Sequence, residues 1–458
     1  MKSKINNFSL DSDGFNPESF FPYIEHTLNH EFLESGSLGF MKNGRTIKEF
    51  YLGNSLDNII YRDDAIDKKV YDGGTSTLFS TISTRGISQY QELVKNPKNV
   101  ILIAARHRSL MDFIIEQPIH YSLIKKDLMI LSGDNLFLGP FDKILRDFGA
   151  FMFLRGDKNL KRKGYENAFL SAKDYLIVLS AYLKQQMIDG VVDDLGITNR
   201  FDEIVFPEIH EDISNGVLSG GRTKSGNLGN ISPIPFIPIH RALRGSDVNV
   251  YVAPVDISFS KYPDAHFITS KKSCLSSLVA PARYLFELNY VFNRYPHFSE
   301  KHHDAKLDVK ITYSSPLELS SFSGRDIIKF KDNPNSLSEK IRQGISNSET
   351  IYPAAVLFRA MDGASEKSFR SLDDDVRVLV DNYAEKGIDV SNVVDKNGNN
   401  LSSEELYNIS VDRINANPML LFHLPNKSNK IISSTSNKII VHNKSIGDWY
   451  GNQLRHLD

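Results

Sequence analysis

Short, continuous apolar runs alternate with amphipathic stretches through the first two thirds of the chain. The segment Asn99–Ala105 (NVILIAA) is rich in β-branched residues, which predicts a buried strand. The polar residues 106–109 interrupt the pattern, and residues 110–123 then show the periodicity of a helix. The same patterns predict further strands at residues 127–131, 150–154, 248–258 and 307–313, and helices at residues 140–147 and 167–187. This alternation predicts an α/β fold whose ligands bind near the strand ends.

The pattern changes toward both ends of the chain. Residues 1–75 are polar with mixed segments, and we expect a small helical region there. Residues 76–95 carry apolar residues at irregular helical spacing. Residues 366–458 are typical of a tail rich in helices and turns, with a glycine- and asparagine-rich surface turn at 395–403. We therefore expect three parts, in which residues 76–365 form the main domain and the C-terminal tail packs on it.

Composition narrows the class of protein. The chain has 458 residues and a net charge of −2, so it lacks the basic excess of a polyanion binder, and we expect no nucleic-acid partner. Its one cysteine, Cys274, excludes an internal disulfide and a cysteine-rich zinc site, and fits a reducing compartment. No apolar run is typical of a signal peptide or approaches the roughly 20 residues of a spanning helix. We expect a cytoplasmic protein that is soluble or peripheral on the inner face of the membrane.

A histidine and a carboxylate flank the turn after the first predicted strand. His107 follows the strand, and Asp112 stands five residues later, where the next helix begins. Such a turn can direct the carboxylate toward one ring nitrogen and leave the other free to accept a proton. Transfer of an acyl group to a hydroxyl needs this arrangement of base and orienting anion. The alternative is a loop histidine followed by an N-terminal helix cap.

Two other segments are suited to binding a phosphate group. Residues 149–156 form a strand that ends at Arg155, whose planar guanidinium can bond phosphate oxygens in pairs. Residues 220–226 combine glycines with Arg222 and Lys224, so that backbone and positive charge can approach a ligand together. The spacing is not that of a nucleotide-binding P-loop. The alternatives are a solvated arginine at a strand end and a mobile basic loop.

Pro254 interrupts the predicted strand at residues 248–258. Because proline has no N–H to donate to a neighbouring strand, it indicates an edge, a bulge or a bend. A bend there can shape the wall of a site, and the alternative is that it only marks a structural irregularity.

Taken in order, these segments resemble the four sequence blocks of the glycerol-3-phosphate and dihydroxyacetone-phosphate acyltransferases. Residues 107–112 (HRSLMD) are similar to the family's H-R-S-x-x-D block, and residues 149–155 to its G-A-F-F-I-R-R block. Residues 219–226 are similar to E-G-G-R-S-R-T-G, and residues 252–259 to a strand of the type V-P-V-x-I-S-Y. Further similarity at residues 309–319, 350–357 and 449–457 extends the resemblance from about residue 75 to residue 457.

The resemblance implies a fold, a reaction and a set of site residues. The fold would be a glycerolipid-acyltransferase-like mixed sheet flanked by helices, with helical N- and C-terminal additions. The reaction would be O-acyl transfer from acyl-CoA or acyl carrier protein to the sn-1 hydroxyl of glycerol 3-phosphate or a similar phosphorylated acceptor. His107 would be the general base and Asp112 its orienting partner. Substrate-binding roles are implied for Arg108, Ser109, Arg155, Gly221, Arg222 and Lys224. No metal is required, and no cofactor other than the thioester co-substrate.

The chain departs from the family pattern at two positions. Ser219 stands where the third block has a glutamate that belongs to the acceptor site, and Gly156 replaces the second arginine of the second block. Glu208 and Glu211 are candidates to compensate for Ser219, the alternative being solvated loop carboxylates. The departure leaves open an acyltransferase with another alcohol or amine acceptor, an inactive relative that binds an acyl carrier, and a hydrolase that uses water.

A short basic cluster follows the second block. Its members are Arg155, Lys158, Lys161, Arg162 and Lys163. Such a patch can bind an acidic carrier protein or anionic lipid at a membrane surface. The alternative is an ordinary solvated face.

Overall fold

The structure is a computed structural model. It describes residues 79–109, 111–124, 126, 128–133, 150–153, 183–192, 198–212, 217–220, 226–243, 245–265, 269, 306–328, 333–415 and 430–458. The predicted N-terminal region, the predicted helix at 140–147 and most of that at 167–187 lie outside the described residues.

The described residues form a mixed α/β protein with a central, mostly parallel sheet flanked by helices. The strands are β1 (Phe79–Arg85), β2 (Asn99–Ala105), β3 (Leu128–Gly133), β4 (Ala150–Phe153), β5 (Val191–Val192), β6 (Thr198–Asn199), β7 (Asp202–Val205), β8 (Glu208–Asp212), β9 (Val217–Gly220), β10 (Asn230–Ile231), β11 (Asn249–Phe259), β12 (Leu307–Tyr313), β13 (Leu317–Glu318), β14 (Glu366–Ser368), β15 (Ile432–Ser434) and β16 (Lys438–Val441). The α-helices are α1 (Ile87–Leu93), α2 (Met111–Ile124), α3 (Phe236–Ala242), α4 (Gly324–Ile328), α5 (Leu337–Asn347), α6 (Pro353–Met361), α7 (Phe369–Glu385), α8 (Ser403–Asn415) and α9 (Lys444–Asn452). A π-helix covers Lys184–Asp189, and 3₁₀ turns cover Leu319–Ser321 and Arg455–Leu457.

The chain divides into two compact units. The first unit comprises residues 1–61, 129–201 and 235–249, and the second comprises residues 62–128, 202–234 and 250–458. Position 365, where the sequence predicts the start of the C-terminal tail, lies inside the second unit. The predicted boundary at residue 75 precedes the described residues. The division into three parts stays a prediction.

The sheet of the second unit has the strand order β1-β12-β11-β2-β7. β1 is parallel to β12, β12 is antiparallel to β11, and β2 is parallel to β7. Every residue of β2 is buried, because an apolar, β-branched run can be covered on both faces of a parallel sheet. The predicted strands Asn99–Ala105 and Leu307–Tyr313 are confirmed at both ends.

The first strand corrects one expectation. Residues 76–95 show helical spacing in the sequence, but Phe79–Arg85 form strand β1, and only Ile87–Leu93 are helical. β1 is rich in serine and threonine and mostly solvent-accessible, so it lacks the apolar alternation by which strands are recognised. Its strand conformation comes from pairing with β12, a contact between residues more than 220 positions apart.

Pro254 lies inside β11, at the point where that strand changes its antiparallel partner. Residues 251–252 pair with β13, whereas residues 255–259 pair with β12. The Pro254 carbonyl still accepts a hydrogen bond from the Ser314 N–H at 2.9 Å. A proline fits here because the ladder is interrupted at its position and no N–H is needed.

The first unit contributes β3 and β4, which pair in parallel, and the short antiparallel pair β5 and β6. The strand predicted at 150–154 is described over Ala150–Phe153. The predicted strand at 127–131 is described from Leu128 and continues to Gly133. α3 and the π-helix also belong to this unit.

The C-terminal part of the second unit is built around α6, whose residues are nearly all buried. Helices α7, α8 and α9 all contact α6. Gly447 and Gly451 of α9 face Phe358 so closely that an added Cβ would lie 2.9 Å from its atoms, which lets the two helices approach. The sequence predicts helices and turns here. It does not predict the antiparallel sheet β14-β16-β15, whose strands are only three or four residues long.

Candidate active site

The turn between β2 and α2, residues 106–109, carries the predicted catalytic histidine. The Ser109 hydroxyl accepts a hydrogen bond from the Met111 N–H at 3.1 Å and so caps the start of α2. Asp112 lies in the first turn of that helix, where the exposed N–H groups and the helix dipole favour a negative charge. Asp112 also accepts the backbone N–H of Ser109, so both residues cap this helix end, and the capping alternative from the sequence holds together with the contact to His107.

The carboxylate of Asp112 is bonded to the ring of His107. The distance from Asp112 Oδ2 to His107 Nδ1 is 2.9 Å. The same oxygen accepts the backbone N–H of Arg108 at 2.9 Å and of Ser109 at 3.0 Å. Because this oxygen is already the acceptor of two N–H groups, Nδ1 is best assigned as a third donor. The neutral ring then carries its lone pair on Nε2, which is the nitrogen that a general base uses.

Burial makes the Asp112 carboxyl unusually basic. Burial raises its pKa well above the ordinary value, and the negative charge of Asp264 adds to this effect. The backbone N–H groups of Ser109 and Arg108 lower the pKa and only partly offset the effect of burial. In general-base chemistry, a carboxylate bonded to Nδ1 stabilises the imidazolium that forms when Nε2 takes a proton.

Glu208 holds the backbone of the same histidine. Its Oε2 accepts the His107 N–H at 2.9 Å, and its Oε1 accepts the Gly229 N–H at 3.1 Å. The side chain is 1% exposed, so it is not a solvated loop carboxylate. The ring of Phe206 lies against the His107 ring, with centroids 4.6 Å apart. The histidine is thus fixed through its ring, its backbone and one ring face.

No protein-family model matches this chain, and no curated protein matches it at significant similarity. Its function therefore has to be inferred from the site itself. Within the described residues, no group of three or more histidine, cysteine or acidic side chains is placed to hold a metal ion. No helix in the same part of the chain is both long enough and apolar enough to cross a bilayer.

A second buried His–Asp pair in the same unit shows what distinguishes His107. His120 Nε2 lies 2.9 Å from Asp202 Oδ2, the same separation as in the first pair. The His120 side chain is 1% exposed, whereas that of His107 is 10% exposed. Asp202 also accepts the Ile101 N–H from β2 at 2.8 Å. A histidine that solvent does not reach cannot take a proton from a substrate, so we interpret the His120 pair as structural.

Arg108, predicted to contact substrate, lies in a buried network. Its guanidinium donates to Ser258 Oγ and to the Tyr262 hydroxyl, both at 3.0 Å, and to Glu349 Oε1 at 2.5 Å. It also lies 2.9 Å from Asp256 Oδ1. Burial lowers the pKa of Arg108, but the charges of Asp256 and Glu349 raise it well above its usual range, so it stays charged. Its substrate-binding role stays a prediction.

Ser109 is also fully buried and is held by two contacts. Its hydroxyl donates to Asp264 Oδ1 at 2.8 Å, besides accepting the Met111 N–H. Both contacts stabilise the turn. The substrate contact implied for Ser109 stays a prediction.

The two ends of the glycine-rich segment, at Gly220 and Gly226, are each linked by hydrogen bonds to the turn at 106–109, Gly220 through β8 and Gly226 directly. β9, which leads into it, pairs with β8, and β8 begins at Glu208. After it, the Gly226 carbonyl accepts a hydrogen bond from Arg106 Nη2 at 2.9 Å. Gly226 has φ +88, and an added Cβ would lie 2.4 Å from the Trp449 carbonyl oxygen, so only glycine fits there.

Four predicted substrate-binding residues lie outside the described residues: Arg155, Gly221, Arg222 and Lys224. The basic cluster of residues 155–163 lies outside them as well. Ser219 is part of β9, with its backbone opposite His210 of β8. The phosphate-binding roles of these residues stay predictions.

Three buried groups around the turn have no prediction from the sequence. They are Arg106, Asp264 and Glu349, which are 0%, 0% and 1% exposed. The sequence gives no sign of the contact between Arg106 and Glu349 except that Arg106 is next to His107, because the two residues are 243 positions apart. Glu208, a candidate acceptor-site carboxylate from the sequence, is 1% exposed and bonds a backbone N–H through each oxygen.

Proposed function

We propose that this protein is an O-acyltransferase that moves a fatty acyl group from acyl-CoA or acyl carrier protein to the hydroxyl of glycerol 3-phosphate or a similar phosphorylated acceptor. The observation that supports it best is the His107–Asp112 pair. Asp112 fixes the tautomer of a histidine whose side chain is 10% exposed, at the carboxyl end of a central strand. General-base chemistry on a hydroxyl needs this arrangement.

In the proposed mechanism, His107 Nε2 removes the proton of the acceptor hydroxyl while that oxygen attacks the thioester carbonyl carbon. Asp112 keeps the Nδ1–H directed and stabilises the positive ring. The tetrahedral intermediate then collapses, the carbon–sulfur bond breaks, and the thiolate takes the proton back from the ring. The products are an ester and a free thiol, and no covalent enzyme intermediate forms.

The acceptor phosphate is proposed to bind the basic residues that the family resemblance implies. These are Arg155, Arg222 and Lys224. The attachment of the glycine-rich segment to the histidine turn through Glu208 and Gly226 supports a position of this segment near the base. The basic cluster at residues 155–163 is proposed to meet an acidic carrier protein or the membrane surface.

A second candidate is the same acyl transfer to a different alcohol or amine. Ser219 provides no carboxylate for a glycerol hydroxyl, and Glu208 is only 1% exposed, with one backbone N–H bonded to each of its oxygens. Alanine substitution of Arg155 and Arg222 separates the two candidates. A phosphorylated acceptor requires both arginines, and another acceptor leaves turnover unchanged in the variants.

The test measures thiol release from acyl-CoA and from acyl carrier protein, with and without glycerol 3-phosphate, for the wild type and His107→Ala. Release that needs the acceptor, yields lysophosphatidic acid and is lost in the variant is the expected result. Release that depends on His107 but not on glycerol 3-phosphate would favour another acceptor or hydrolysis. No release with either donor would contradict the proposed activity.

A further inference from the structure

Glu349 joins the two residues on either side of His107. Arg106 Nη1 donates to both carboxylate oxygens, at 3.1 and 3.0 Å, and Arg108 Nη2 donates to Oε1 at 2.5 Å. A ring nitrogen of His456, near the end of the chain, lies 2.8 Å from Oε2. All four side chains are almost fully buried.

We propose that Glu349 is a positioning residue for the catalytic turn, holding residues 106 and 108 so that the His107 ring keeps its place. The proposal rests on the proposed function, in which His107 is the base. It concerns a carboxylate more than 240 residues away from the turn in sequence, which has no predicted role.

The electrostatics of the group explain why a carboxylate is needed. Two buried guanidinium groups next to a histidine would disfavour the positive ring that forms during catalysis. Burial alone would raise the pKa of Glu349, but the charges of Arg108, Arg106 and His456 lower it to about 2. The carboxylate therefore stays ionised at neutral pH and compensates positive charge on both sides of His107.

The network also indicates that Glu349 is not the sole support of either arginine. Arg106 Nη2 donates to the carbonyls of Gly226 at 2.9 Å and Gln453 at 3.3 Å. Arg108 keeps Asp256, Ser258 and Tyr262 as partners. A neutral, isosteric Glu349→Gln change should therefore leave the chain folded but hold the turn less firmly.

Asp389 offers a matched control, because it contacts Thr350, the residue that follows Glu349. Its carboxylate pairs with Lys310 and accepts the Thr350 hydroxyl at 3.3 Å. Asp389→Asn removes the partly buried ion pair with Lys310 next to Thr350 and leaves the contacts of Arg106 and Arg108 unchanged. The change in stability of Asp389→Asn shows how much the loss of a nearby ion pair affects the chain around Thr350 when Glu349 keeps its contacts.

The experiment combines hydrogen–deuterium exchange with kinetics. The amides of His107, Arg108 and Ser109 all donate to carboxylates, so peptides over residues 106–112 report how firmly the turn is held. In Glu349→Gln we expect exchange there to accelerate about tenfold or more, and kcat to fall about 10- to 100-fold with KM for the thioester within about threefold. In Asp389→Asn we expect neither change at the turn.

Two results would overturn the proposal: unchanged exchange and kcat in Glu349→Gln, or equal changes in Asp389→Asn. If Glu349→Gln does not fold, His456→Asn replaces it, because it removes one partner of Glu349 and leaves both arginines paired. It should accelerate exchange of the same peptides by a smaller factor, and no acceleration would equally overturn the proposal. If the wild type transfers no acyl group, the proposed function fails, and the exchange pattern alone then decides whether Glu349 positions the turn.

Discussion

Replacing Asp112 with asparagine removes the negative charge beside His107 and places an amide NH2 at Oδ1, a buried atom that has no hydrogen-bond partner. The Asp112 Oδ2 atom accepts three hydrogen bonds, two of them from backbone N–H groups. The asparagine carbonyl oxygen can take this position and accept the same three donors. The geometry of the turn should therefore survive, and the change isolates the role of the charge.

The expected loss follows from the 2.9 Å separation of Oδ2 and Nδ1. At an effective dielectric constant of about 20, a full charge pair at this distance interacts by roughly 5–6 kcal/mol. The neutral amide keeps a hydrogen bond of about 1 kcal/mol, and partial exposure of the ring screens the remainder. We expect the barrier to rise by about 3–5 kcal/mol, which is a fall in kcat of about 10²- to 10⁴-fold.

The stability of the folded protein should change much less than the activity. The pKa of Asp112 is raised in the folded protein, so the charged carboxylate opposes folding at pH 7. Asparagine removes this cost but buries an unpaired NH2 at the Oδ1 position, and we expect these opposing effects to leave the melting temperature close to that of the wild type. A variant that loses activity and does not lose stability is difficult to explain by misfolding.

The assay measures thioester cleavage and melting temperature for Asp112→Asn beside Asp202→Asn. Asp202 pairs with His120 at the same 2.9 Å, but that pair is closed to solvent. We expect Asp202→Asn to keep kcat per folded molecule within about threefold, because its pair does not touch a substrate. Asp112→Asn activity within tenfold of the wild type, or equal losses in both variants, would refute the assignment.

Three further predictions concern stability. The pKa of Glu349 is lowered to about 2 from 4.5, so its stabilising contribution is complete above pH 4.5 and is lost as pH falls toward 2. In urea unfolding, the free energy of unfolding should therefore fall by about 3 kcal/mol over this pH range, and Glu349→Gln should not show this fall. The pKa of the buried Lys261 is lowered to about 7 from 10.5, so its charging opposes folding and stability should rise as pH rises from 7 to 10. Lys261→Met should lose that pH dependence, and an unchanged slope in calorimetry would contradict the assignment. Gly226→Ala should lower the free energy of unfolding by about 2–4 kcal/mol, because its Cβ would lie 2.4 Å from the Trp449 carbonyl oxygen. The control Gly245→Ala, with φ +78 and no atom within 4 Å of the added Cβ, should lower it by about 1 kcal/mol. Equal melting temperatures of the two variants would show that the protein relieves the close contact at residue 226.

Local sequence patterns predict the central strands because a buried strand requires a continuous run of apolar residues, which is visible in the sequence. β2 and β12 are short apolar runs, and both were located to the residue. β1 was missed because its stability comes from pairing with a strand more than 220 residues away. The strands β14 to β16 were missed because three or four residues are too few for a periodic signal.

The same distinction holds in the candidate site. His107 and Asp112 are five residues apart, so a single turn brings them together and their spacing predicts the pair. Arg106 meets Glu349 across 243 residues, and no local pattern carries information about that contact. The sequence therefore predicts the proton-transfer pair but not the buried charges that hold it.

The partners of Arg106 have a consequence for how the turn that carries His107 is completed during synthesis. Its guanidinium binds groups that lie 120, 243 and 347 positions later in the sequence. A ribosome adds about 5–20 residues per second, so the histidine turn is made many seconds before the last of these partners exists. Contacts of such separation also form slowly, because the intervening chain must first be ordered. A nascent chain is thus expected to carry His107 and Asp112 before the contacts of Arg106 can form, and to complete them only after residues near 453 have emerged.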